Sequence, residues 1–489
     1  MFDRNKKHFR TVILGAGFGG LGMGATLKEA GDDDFIIFEK AGELGGVWRD
    51  NSYPGAACDV EAHLYCYSYF PYLRVSSMFP ERDELMGYLH RFADHFDLEK
   101  HIFCNHKITS AVWNEKTNQW EFEVNGKEHF TSTFFVPAWG QLNTPKIPEF
   151  KGLSDFKNPI FHSAEWDHSI DLNGKNVASV GSAASAVQYV PEIAKIVRHL
   201  TVFQRSANWI MPRNQYFFSE EELDNFEKHP ETFWESRRQV YKLREEGFQR
   251  TKHNSVAQKE GIKMAKAHLA KQISDEELLK KLTPEFEFAC KRILRTDDYY
   301  PALMRKNVYL ETAPIDHFTS DGIVTKEGVE HKFDVVIFGT GFSSQAFQGD
   351  LVITGQDNVT LDQVWQDGAQ AYLGMNIPGF PNMFVLYGPN TNLNHNSILA
   401  MLEIQQNYIV QAMNHIDNGQ AASVKIDVFN RYNDNIQEEM KDSAFSSSCS
   451  SWYKNAAGRV INNWSGTVED YRQLAKWNDN DFDWVERAG

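Results

Sequence analysis

Residues 11–20 read Thr-Val-Ile-Leu-Gly-Ala-Gly-Phe-Gly-Gly, which is a short strand-forming run followed by a glycine-rich turn. Residues 176–186 repeat the pattern as Asn-Val-Ala-Ser-Val-Gly-Ser-Ala-Ala-Ser-Ala. Each stretch is typical of a strand, a tight turn and a helix whose N-terminus binds the pyrophosphate of a dinucleotide. The chain is therefore predicted to be an α/β protein with two dinucleotide-binding, Rossmann-like domains.

The two copies differ in the charge of the residue that follows their second strand. Glu39 lies as far beyond Gly15 as Arg205 lies beyond Gly181. A carboxylate at this position accepts hydrogen bonds from both ribose hydroxyls of an adenosine, whereas an arginine attracts a 2′-phosphate. The pattern predicts that two dinucleotides bind at once and that the second is NADPH. Two cofactors of this kind indicate electron transfer.

The residues around each turn are the candidate contacts of the two nucleotides. In the first copy, Gly17 is predicted to admit the pyrophosphate, and the site also includes Gly15, Gly20 and Glu39. In the second copy, Ala183 replaces the middle glycine, and its methyl group crowds the pyrophosphate. The candidate contacts in the second copy are Gly181, Ser182, Ala184, Ser185, Gln188 and Arg205, with Ser206 adding a hydrogen bond to the 2′-phosphate.

Composition excludes several classes of function. The 489 residues carry a formal net charge of −16, which disfavours a nucleic-acid partner. Because no apolar stretch approaches the length of a membrane span, no integral membrane segment is expected. The five cysteines lack Cys-x-x-Cys spacing. They are expected to be reduced thiols of a cytoplasmic protein, without a disulfide framework or a metal site.

Three further stretches carry longer motifs. Residues 45–59 read Gly-Gly-Val-Trp-Arg-Asp-Asn-Ser-Tyr-Pro-Gly-Ala-Ala-Cys-Asp, residues 138–145 read Ala-Trp-Gly-Gln-Leu-Asn-Thr-Pro, and residues 156–167 read Phe-Lys-Asn-Pro-Ile-Phe-His-Ser-Ala-Glu-Trp-Asp. With these motifs the chain resembles the type I Baeyer–Villiger monooxygenases, which are class B flavoprotein monooxygenases. In the third motif, Asn158 stands where the family has glycine.

The resemblance implies FAD and NADPH as cofactors, and O₂ and a small-molecule ketone as substrates. In this family a C4a-peroxyflavin inserts one oxygen atom beside the carbonyl, which gives an ester or a lactone. A peroxide that attacks a carbonyl must be anionic, so it needs a fixed cation beside it. The run Cys290-Lys291-Arg292 resembles the family's Lys-Arg pair. By that match Arg292 is the catalytic arginine, Asp59 pairs with it, and Lys291 holds the 2′-phosphate or ribose of NADPH.

The resemblance also assigns roles to residues outside the glycine turns. The further candidate FAD contacts are Gly46, Trp48, Asp59, Tyr65 and Ile108. Trp452 lies in a stretch that resembles a family loop whose tryptophan folds over NADP. His162 and Trp166 belong to the motif of the linker between the domains, and no metal ligand is expected.

Changes of pattern along the chain divide it into segments. Residues 214–290 are rich in Glu, Lys and Arg with apolar residues at helical spacing, which predicts a helical insertion. Residues 1–142 and 339–489 are expected to form the FAD-binding domain, the latter with a C-terminal loop. Residues 143–213 and 291–338 are expected to form the NADPH-binding domain.

Two other functions stay open at this point. A flavin monooxygenase that oxidises the N or S atoms of amines and sulfides through the protonated C4a-hydroperoxide has the same cofactors. A non-catalytic NADPH sensor is compatible with Ala183 but leaves the flavin motifs unexplained. A flavin disulfide reductase is excluded, because it needs a redox Cys-x-x-x-x-Cys pair, and Cys58 and Cys66 are too far apart.

Overall fold

The computed structural model describes residues 6–416 and 420–485. Its larger sheet has seven strands and contains the first glycine turn. The four parallel strands at one side of this sheet are the predicted nucleotide-binding unit, and Phe35–Phe38 is buried at every position, as expected for a parallel strand covered on both faces. In order across the sheet, the strands are Val352–Thr354, Ile108–Asn114, Gln119–Val124, Glu128–Pro137, His8–Leu14, Phe35–Phe38 and Ile102–Phe103.

The second sheet has five strands, all of them parallel. Its order is Val308–Glu311, His199–Phe203, Asn176–Val180, Val335–Phe338 and Ile160–His162. The second glycine turn follows the central strand, so both predicted turns lie at the carboxyl ends of parallel strands. Ligands bind at that end of such sheets. The predicted fold class is therefore confirmed.

The first glycine of each turn has the same surroundings in the two sheets. Gly15 has a φ of +99°, and a Cβ there would lie 2.8 Å from the carbonyl oxygen of Ala138. Gly181 has a φ of +116°, and a Cβ there would overlap the carbonyl oxygen of Gly339. In both domains the turn is therefore pressed against the end of the neighbouring strand, where only glycine fits.

The remaining strands form three small sheets. The strands Ile210–Met211 and Leu294–Arg295 are parallel, Ala421–Val424 pairs with Phe482–Val485, and an antiparallel sheet contains Ile315–Phe318, Gly322–Thr325 and Glu330–Lys332. The α-helices outside the predicted insertion are Phe18–Glu29, Val47–Asp50, Arg82–His95, Ala186–Ile193, Tyr299–Leu303, Leu361–Val364, Ile398–His415, Ile426–Met440 and Val468–Leu474. Short 3₁₀ turns are Glu99–His101, Leu153–Asp155, Ser163–Glu165, Gln356–Asn358, Ala444–Ser446 and Asp479–Asp481.

The segment 214–290 is helical, as its composition predicted. It contains the helices Glu220–Lys228, Pro230–Glu246, Val256–Gln272 and Glu276–Leu282, with the 3₁₀ turn Gly247–Thr251. The chain then returns along Leu294–Arg295, which pairs with Ile210–Met211. None of the helices in the described residues is both long and apolar enough to cross a membrane.

Candidate active site

A cleft of about 940 Å³ is lined by residues of the seven-stranded sheet and by the turn and helix that follow the central strand of the five-stranded sheet. Its wall contains parts of the first glycine turn, the segment 45–60 and the N-terminus of the helix Ala186–Ile193. The residues predicted from sequence that line it are Gly15, Gly17, Glu39, Gly46, Trp48, Asp59, Tyr65, Ile108, Ala184, Ser185, Gln188, Arg292 and Trp452. The structure therefore brings most of the predicted FAD contacts and part of the predicted NADPH contacts into one cleft.

Two glycines face each other across the floor of this cleft. Gly17 precedes the helix Phe18–Glu29, and no side chain caps that helix within the described residues. A Cβ on Gly17 would lie 3.5 Å from the Cα of Gly46, and a Cβ on Gly46 would lie 3.1 Å from the Cα of Gly17. Gly46 has a φ of +55°. Bare backbone and a free helix N-terminus suit a pyrophosphate that approaches closely.

Gly20 is required for packing within the protein. A Cβ on Gly20 would overlap the carbonyl oxygen of Gly15, so this glycine allows the helix to pack against its own turn. It does not line the cleft.

Glu39 is 4% exposed and lines the cleft, where its carboxylate accepts hydrogen bonds from the backbone. One oxygen, Oε2, accepts a hydrogen bond from the N–H of Ala16 at 2.9 Å, and Oε1 accepts one from the N–H of Ala41 at 2.9 Å. The Nη1 atom of Arg49 lies 3.1 Å from Oε1. The charge of Glu39 is therefore balanced, and each carboxylate oxygen can accept further bonds from ribose hydroxyls.

Trp48, Tyr65 and Ile108 line the cleft at other points. The Nε1 atom of Trp48 donates to the hydroxyl of Tyr65 at 3.1 Å, and the two rings meet edge to face with centroids 5.8 Å apart. Burial raises the pKa of the Tyr65 hydroxyl, which keeps it neutral. Ile108 is 2% exposed and begins the strand Ile108–Asn114. These residues present rigid, largely apolar surface to a bound ring system.

Arg292 and Asp59 form an ion pair at the wall of the cleft. The Nη2 and Nε atoms of Arg292 donate to Oδ2 of Asp59 at 2.5 and 3.1 Å. Burial raises the pKa of the Asp59 carboxyl, but the charge and hydrogen bonds of Arg292 outweigh this and give a net lowering. The charge of Asp59 raises the pKa of the Arg292 guanidinium. Both groups are ionised at neutral pH, and each fixes the position of the other.

A group of two cations and a hydroxyl lies beyond the end of the strand His199–Phe203. The Nζ atom of Lys291 donates to the hydroxyl of Ser206 at 3.1 Å. Burial lowers the pKa of Lys291, and the positive charge of Arg205 lowers it further. The two cations are therefore close enough to repel each other. Such a pair is stabilised when a doubly charged anion binds between them.

The remaining predicted NADPH contacts surround the second glycine turn. Ser182 is 6% exposed, and its carbonyl accepts a hydrogen bond from the Nδ2 atom of Asn208 at 2.9 Å. Gln188 accepts a bond from the Tyr53 hydroxyl at 2.9 Å and donates to the carbonyl of Ala57 at 2.9 Å. Gln188 therefore ties the second nucleotide turn to the segment that contains Asp59.

His162 and Trp166 are structural residues of the second sheet and do not line the cleft. His162 is 1% exposed, and its Nδ1 atom accepts a hydrogen bond from the N–H of Ala164 at 3.1 Å. Trp166 packs edge to face against Phe161, with ring centroids 5.1 Å apart. His162 ends the edge strand Ile160–His162, and Trp166 follows it by four residues.

The expectation that all five cysteines are reduced thiols is wrong. A disulfide joins Cys290 to Cys449, whose Cα atoms are 6.5 Å apart, while Cys58, Cys66 and Cys104 are free. Cys290 immediately precedes Lys291 and Arg292, and Cys449 lies three residues before Trp452. The partners are 159 residues apart in sequence, so only the fold brings them together. The bond ties the loop of Trp452 to the segment of Arg292.

Comparisons with known proteins extend this description. A family model described as flavin-binding monooxygenase-like matches residues 8–364. A Baeyer–Villiger monooxygenase of Pseudomonas aeruginosa is 38% identical over 476 residues, which are 96% of this chain and 90% of the relative. One of Streptomyces coelicolor is 37% identical over 474 residues, 96% of this chain and 91% of the relative. The chain belongs to the type I Baeyer–Villiger monooxygenases, within the flavin-binding monooxygenase-like family.

Solved structures resemble this monooxygenase over almost its whole length. The closed crystal structure of cyclohexanone monooxygenase superimposes with a TM-score of 0.86 at 25% identity, covering 99% of this chain and 100% of that chain. An oxidised steroid monooxygenase bound to NADP superimposes with a TM-score of 0.86 at 26% identity, covering 98% of this chain and 100% of that chain.

Several residues at the site of this monooxygenase were missed by sequence reasoning. Arg49 binds Glu39 and was detectable, because it lies within the motif of residues 45–59. Gln141 accepts a hydrogen bond from Asn462 at 3.0 Å and lines the cleft. Three further arginines, Arg244, Arg250 and Arg295, lie near Arg292 around a second, smaller cavity. No motif marks these three, since two of them come from the helical insertion.

Proposed function

We propose that this monooxygenase uses NADPH and O₂ to insert one oxygen atom next to the carbonyl of a ketone, giving an ester or a lactone, with FAD as the flavin. The observation that carries the proposal is the Arg292–Asp59 ion pair at the wall of a cleft lined by residues of both glycine turns. A flavin, a nicotinamide and a fixed cation can meet only at such a junction. The relatives that match nearly the whole chain are named for the same reaction.

The first sheet and the C-terminal segment would hold FAD. This assignment is supported by Gly17 and Gly46, whose bare backbones leave room for a pyrophosphate at an uncapped helix N-terminus. Glu39 would accept the adenosine ribose hydroxyls, and Trp48, Tyr65 and Ile108 would pack against the rings and the adenine. This assigns residues 1–142 and 339–489 to the FAD-binding domain. A similar crystal structure is described as a complex with FAD and NADP.

The second sheet would hold NADPH. Arg205, Ser206 and Lys291 supply two cations and a hydroxyl for a 2′-phosphate. The turn from Gly181 to Ser185 would receive the pyrophosphate, with Gln188 beside it. Trp452 would close over the nicotinamide half, since its side chain lines the shared cleft. This assigns residues 143–213 and 291–338 to the NADPH-binding domain.

FAD supplies the redox chemistry when bound, because its reduced form activates O₂. The protein supplies a fixed positive charge. Arg292 stays protonated, since the charge of Asp59 raises its pKa. It would donate hydrogen bonds to the oxygen on which negative charge accumulates as the ketone is attacked. A preorganised cation of this kind needs no reorganisation during the reaction, which is why its contribution to the rate is large.

A panel of ketones tests the proposal. The purified holoenzyme is incubated with NADPH and each ketone under air, and the products are identified by mass spectrometry. Esters or lactones that require both NADPH and O₂ support the proposal. A parallel panel of sulfides and amines tests the alternative, and turnover confined to sulfoxides or N-oxides would contradict Baeyer–Villiger activity. The cytoplasmic location expected from sequence belongs to the same proposal and is tested by cell fractionation.

A further inference from the structure

A second cavity of about 260 Å³ adjoins the Arg292–Asp59 pair. One wall is the short parallel sheet of Ile210–Met211 and Leu294–Arg295 with the residues beside it. The opposite wall comes from the helical insertion, through residues 243–251 and Met264. A molecule bound here would touch Arg292 at one end and the insertion at the other. We take this cavity as the place where the ketone binds.

The lining of this cavity carries an excess of positive charge. Four arginines line it, namely Arg244, Arg250, Arg292 and Arg295, whereas Asp59 is the one carboxylate among the described lining residues. Asp59 is already paired with Arg292. Arg244 is also balanced, because its Nε and Nη2 atoms lie 2.7 and 2.6 Å from Oε2 of Glu61. Two guanidinium groups therefore lack a close ion-pair partner of their own among the described residues.

Those two are Arg250 and Arg295. Within the described part of the chain, neither forms an ion pair or donates a side-chain hydrogen bond to another residue. Burial lowers the pKa of Arg295 to about 10, with the charge of Arg244 acting in the same direction and the charges of Glu61 and Asp59 opposing it. Burial and Arg244 also lower the pKa of Arg250, against the charge of Glu260. Both remain protonated at neutral pH, at an electrostatic cost that a bound anion would remove.

The remaining surface of the cavity has apolar side chains together with the polar Asn214, Thr251, Asn394 and His395. Met211, Leu243, Met264 and Ile293 contribute side chains to its lining. The arrangement has cations at two places and hydrocarbon between them, which is complementary to a molecule with a polar end, an apolar body and a charged group.

We infer that the ketone accepted by this enzyme carries a carboxylate, which Arg250 and Arg295 bind while the carbonyl lies against Arg292. This inference rests on the proposed function, because it names the substrate class of the same reaction. One carboxylate would be shared by Arg250 and Arg295, while Arg292 serves the negative charge that develops at the reacting oxygen. Arginine is suited to the role, since its planar fork binds a carboxylate through two parallel hydrogen bonds.

The phosphates of NADPH are a second source of negative charge, and their position argues against them. Arg295 lines both the small cavity and the large cleft, where the second nucleotide turn lies, whereas Arg250 lines the small cavity and is absent from the described lining of the large cleft. The cations suited to the 2′-phosphate, Arg205 and Lys291, are a different pair. Arg250 is therefore the residue that separates substrate binding from cofactor binding.

The test compares linear keto acids, from levulinate upward, with their methyl esters, which keep the shape and lose the charge. For wild-type holoenzyme we expect kcat/KM to favour the acid over its ester. Arg250→Gln should lower this ratio about tenfold or more, because one charge-assisted contact is lost. Arg250→Lys should keep part of the preference. Arg238→Gln is the matched control, since Arg238 is exposed on the same insertion and pairs only with Glu235.

Binding is followed without turnover by titrating levulinate into the holoenzyme with NADP⁺ and recording the flavin absorbance. We expect saturable binding to the wild type and at least tenfold weaker binding to Arg250→Gln, with an unchanged KM for NADPH. No saturable binding, or equal binding by wild type and Arg250→Gln, overturns the inference. A raised KM for NADPH in Arg250→Gln overturns it in favour of a cofactor phosphate. If neutral ketones give esters and keto acids are not preferred, this inference fails alone; if no ketone gives an ester, the proposed function fails.

Discussion

Arg292 donates two hydrogen bonds to a single oxygen of Asp59, Oδ2, across a sequence separation of 233 residues. The pair fixes the guanidinium at the wall of the cleft and leaves its other N–H groups available. The ion pair joins the segment of Arg292 to the motif of residues 45–59, and the disulfide Cys290–Cys449 joins the same segment to the C-terminal loop.

Arg292→Ala should remove ester formation while keeping the reduction of the flavin by NADPH. The reason is that negative charge at the reacting oxygen develops only after reduction, and the loss of a preorganised cation lowers the rate on the order of a hundredfold or more. Anaerobic stopped-flow absorbance measures the reduction, and product analysis in air measures the ester and the hydrogen peroxide released. Ester formation at near wild-type rate would show that Arg292 is not the catalytic cation. Arg238→Ala is the control, because Arg238 is exposed and forms an ion pair with Glu235.

Asp59→Asn should reduce stability at neutral pH, and the difference from wild type should shrink in acid. The folded pKa of Asp59 is lowered, so the ion pair contributes fully above the unfolded carboxyl pKa of about 4 and is lost as the pH falls through the folded value. About a third of each side chain faces the cleft, so the contribution is on the order of 1 kcal/mol. Tm is measured from about pH 7 to about pH 3.

The control for this series is Asp155→Asn, since Asp155 is exposed in a short 3₁₀ turn. A Tm difference for Asp59→Asn that stayed constant over the whole pH range would contradict the lowered pKa of Asp59.

Arg205→Ala should weaken the use of NADPH far more than the use of NADH. Only NADPH has a 2′-phosphate to lose a charge-assisted contact, which is worth about 1.5–3 kcal/mol. Steady-state kcat/KM for each nucleotide gives the ratio. Arg198→Ala is a matched control, because Arg198 is exposed just before the same strand, His199–Phe203. An equal loss for both nucleotides would remove Arg205 from the 2′-phosphate site.

Gly17→Val should yield folded protein without bound flavin. A Cβ at Gly17 makes only an ordinary contact with Gly46 at 3.5 Å, so the added side chain is directed at the path of the pyrophosphate and not at the core. The ratio of flavin to protein absorbance measures FAD content, and circular dichroism measures folding. Gly42→Val is the control, since a Cβ there would meet only the side chain of Asn105 at 3.7 Å. If the Gly17→Val variant bound stoichiometric FAD, this glycine turn would not be the site of the FAD pyrophosphate.

The disulfide predicts the number of titratable thiols. Protein unfolded without reductant should show three thiols, those of Cys58, Cys66 and Cys104, and five after reduction. Cys449→Ser should release the loop of Trp452 and raise the Kd for NADP⁺, while the FAD content should match that of Cys104→Ser. Five thiols before reduction would show that Cys290 and Cys449 are not bonded.

Local sequence patterns were sufficient to predict the two nucleotide-binding units. Gly15 and Gly181 mark their turns because each has a positive φ, which is a local constraint, although the Cβ that they exclude would meet Ala138 and Gly339, far along the chain. The charges of Glu39 and Arg205 follow at equal distances because each comes just after the second strand of its unit, although the helices between the strands have 12 and 8 residues. The insertion was recognisable from helical spacing. These features depend on neighbours along the chain, so the sequence contains them.

The sequence by itself determined the fold class, the family and the identity of Arg292 and Asp59 as a pair. Only the tertiary structure decided which other residues meet them. Arg250, Arg295 and the bond between Cys290 and Cys449 were not visible, since each depends on segments far apart in the chain packing side by side. Charge balance in a cavity is a property of everything that lines it, and no stretch of sequence records which residues those are.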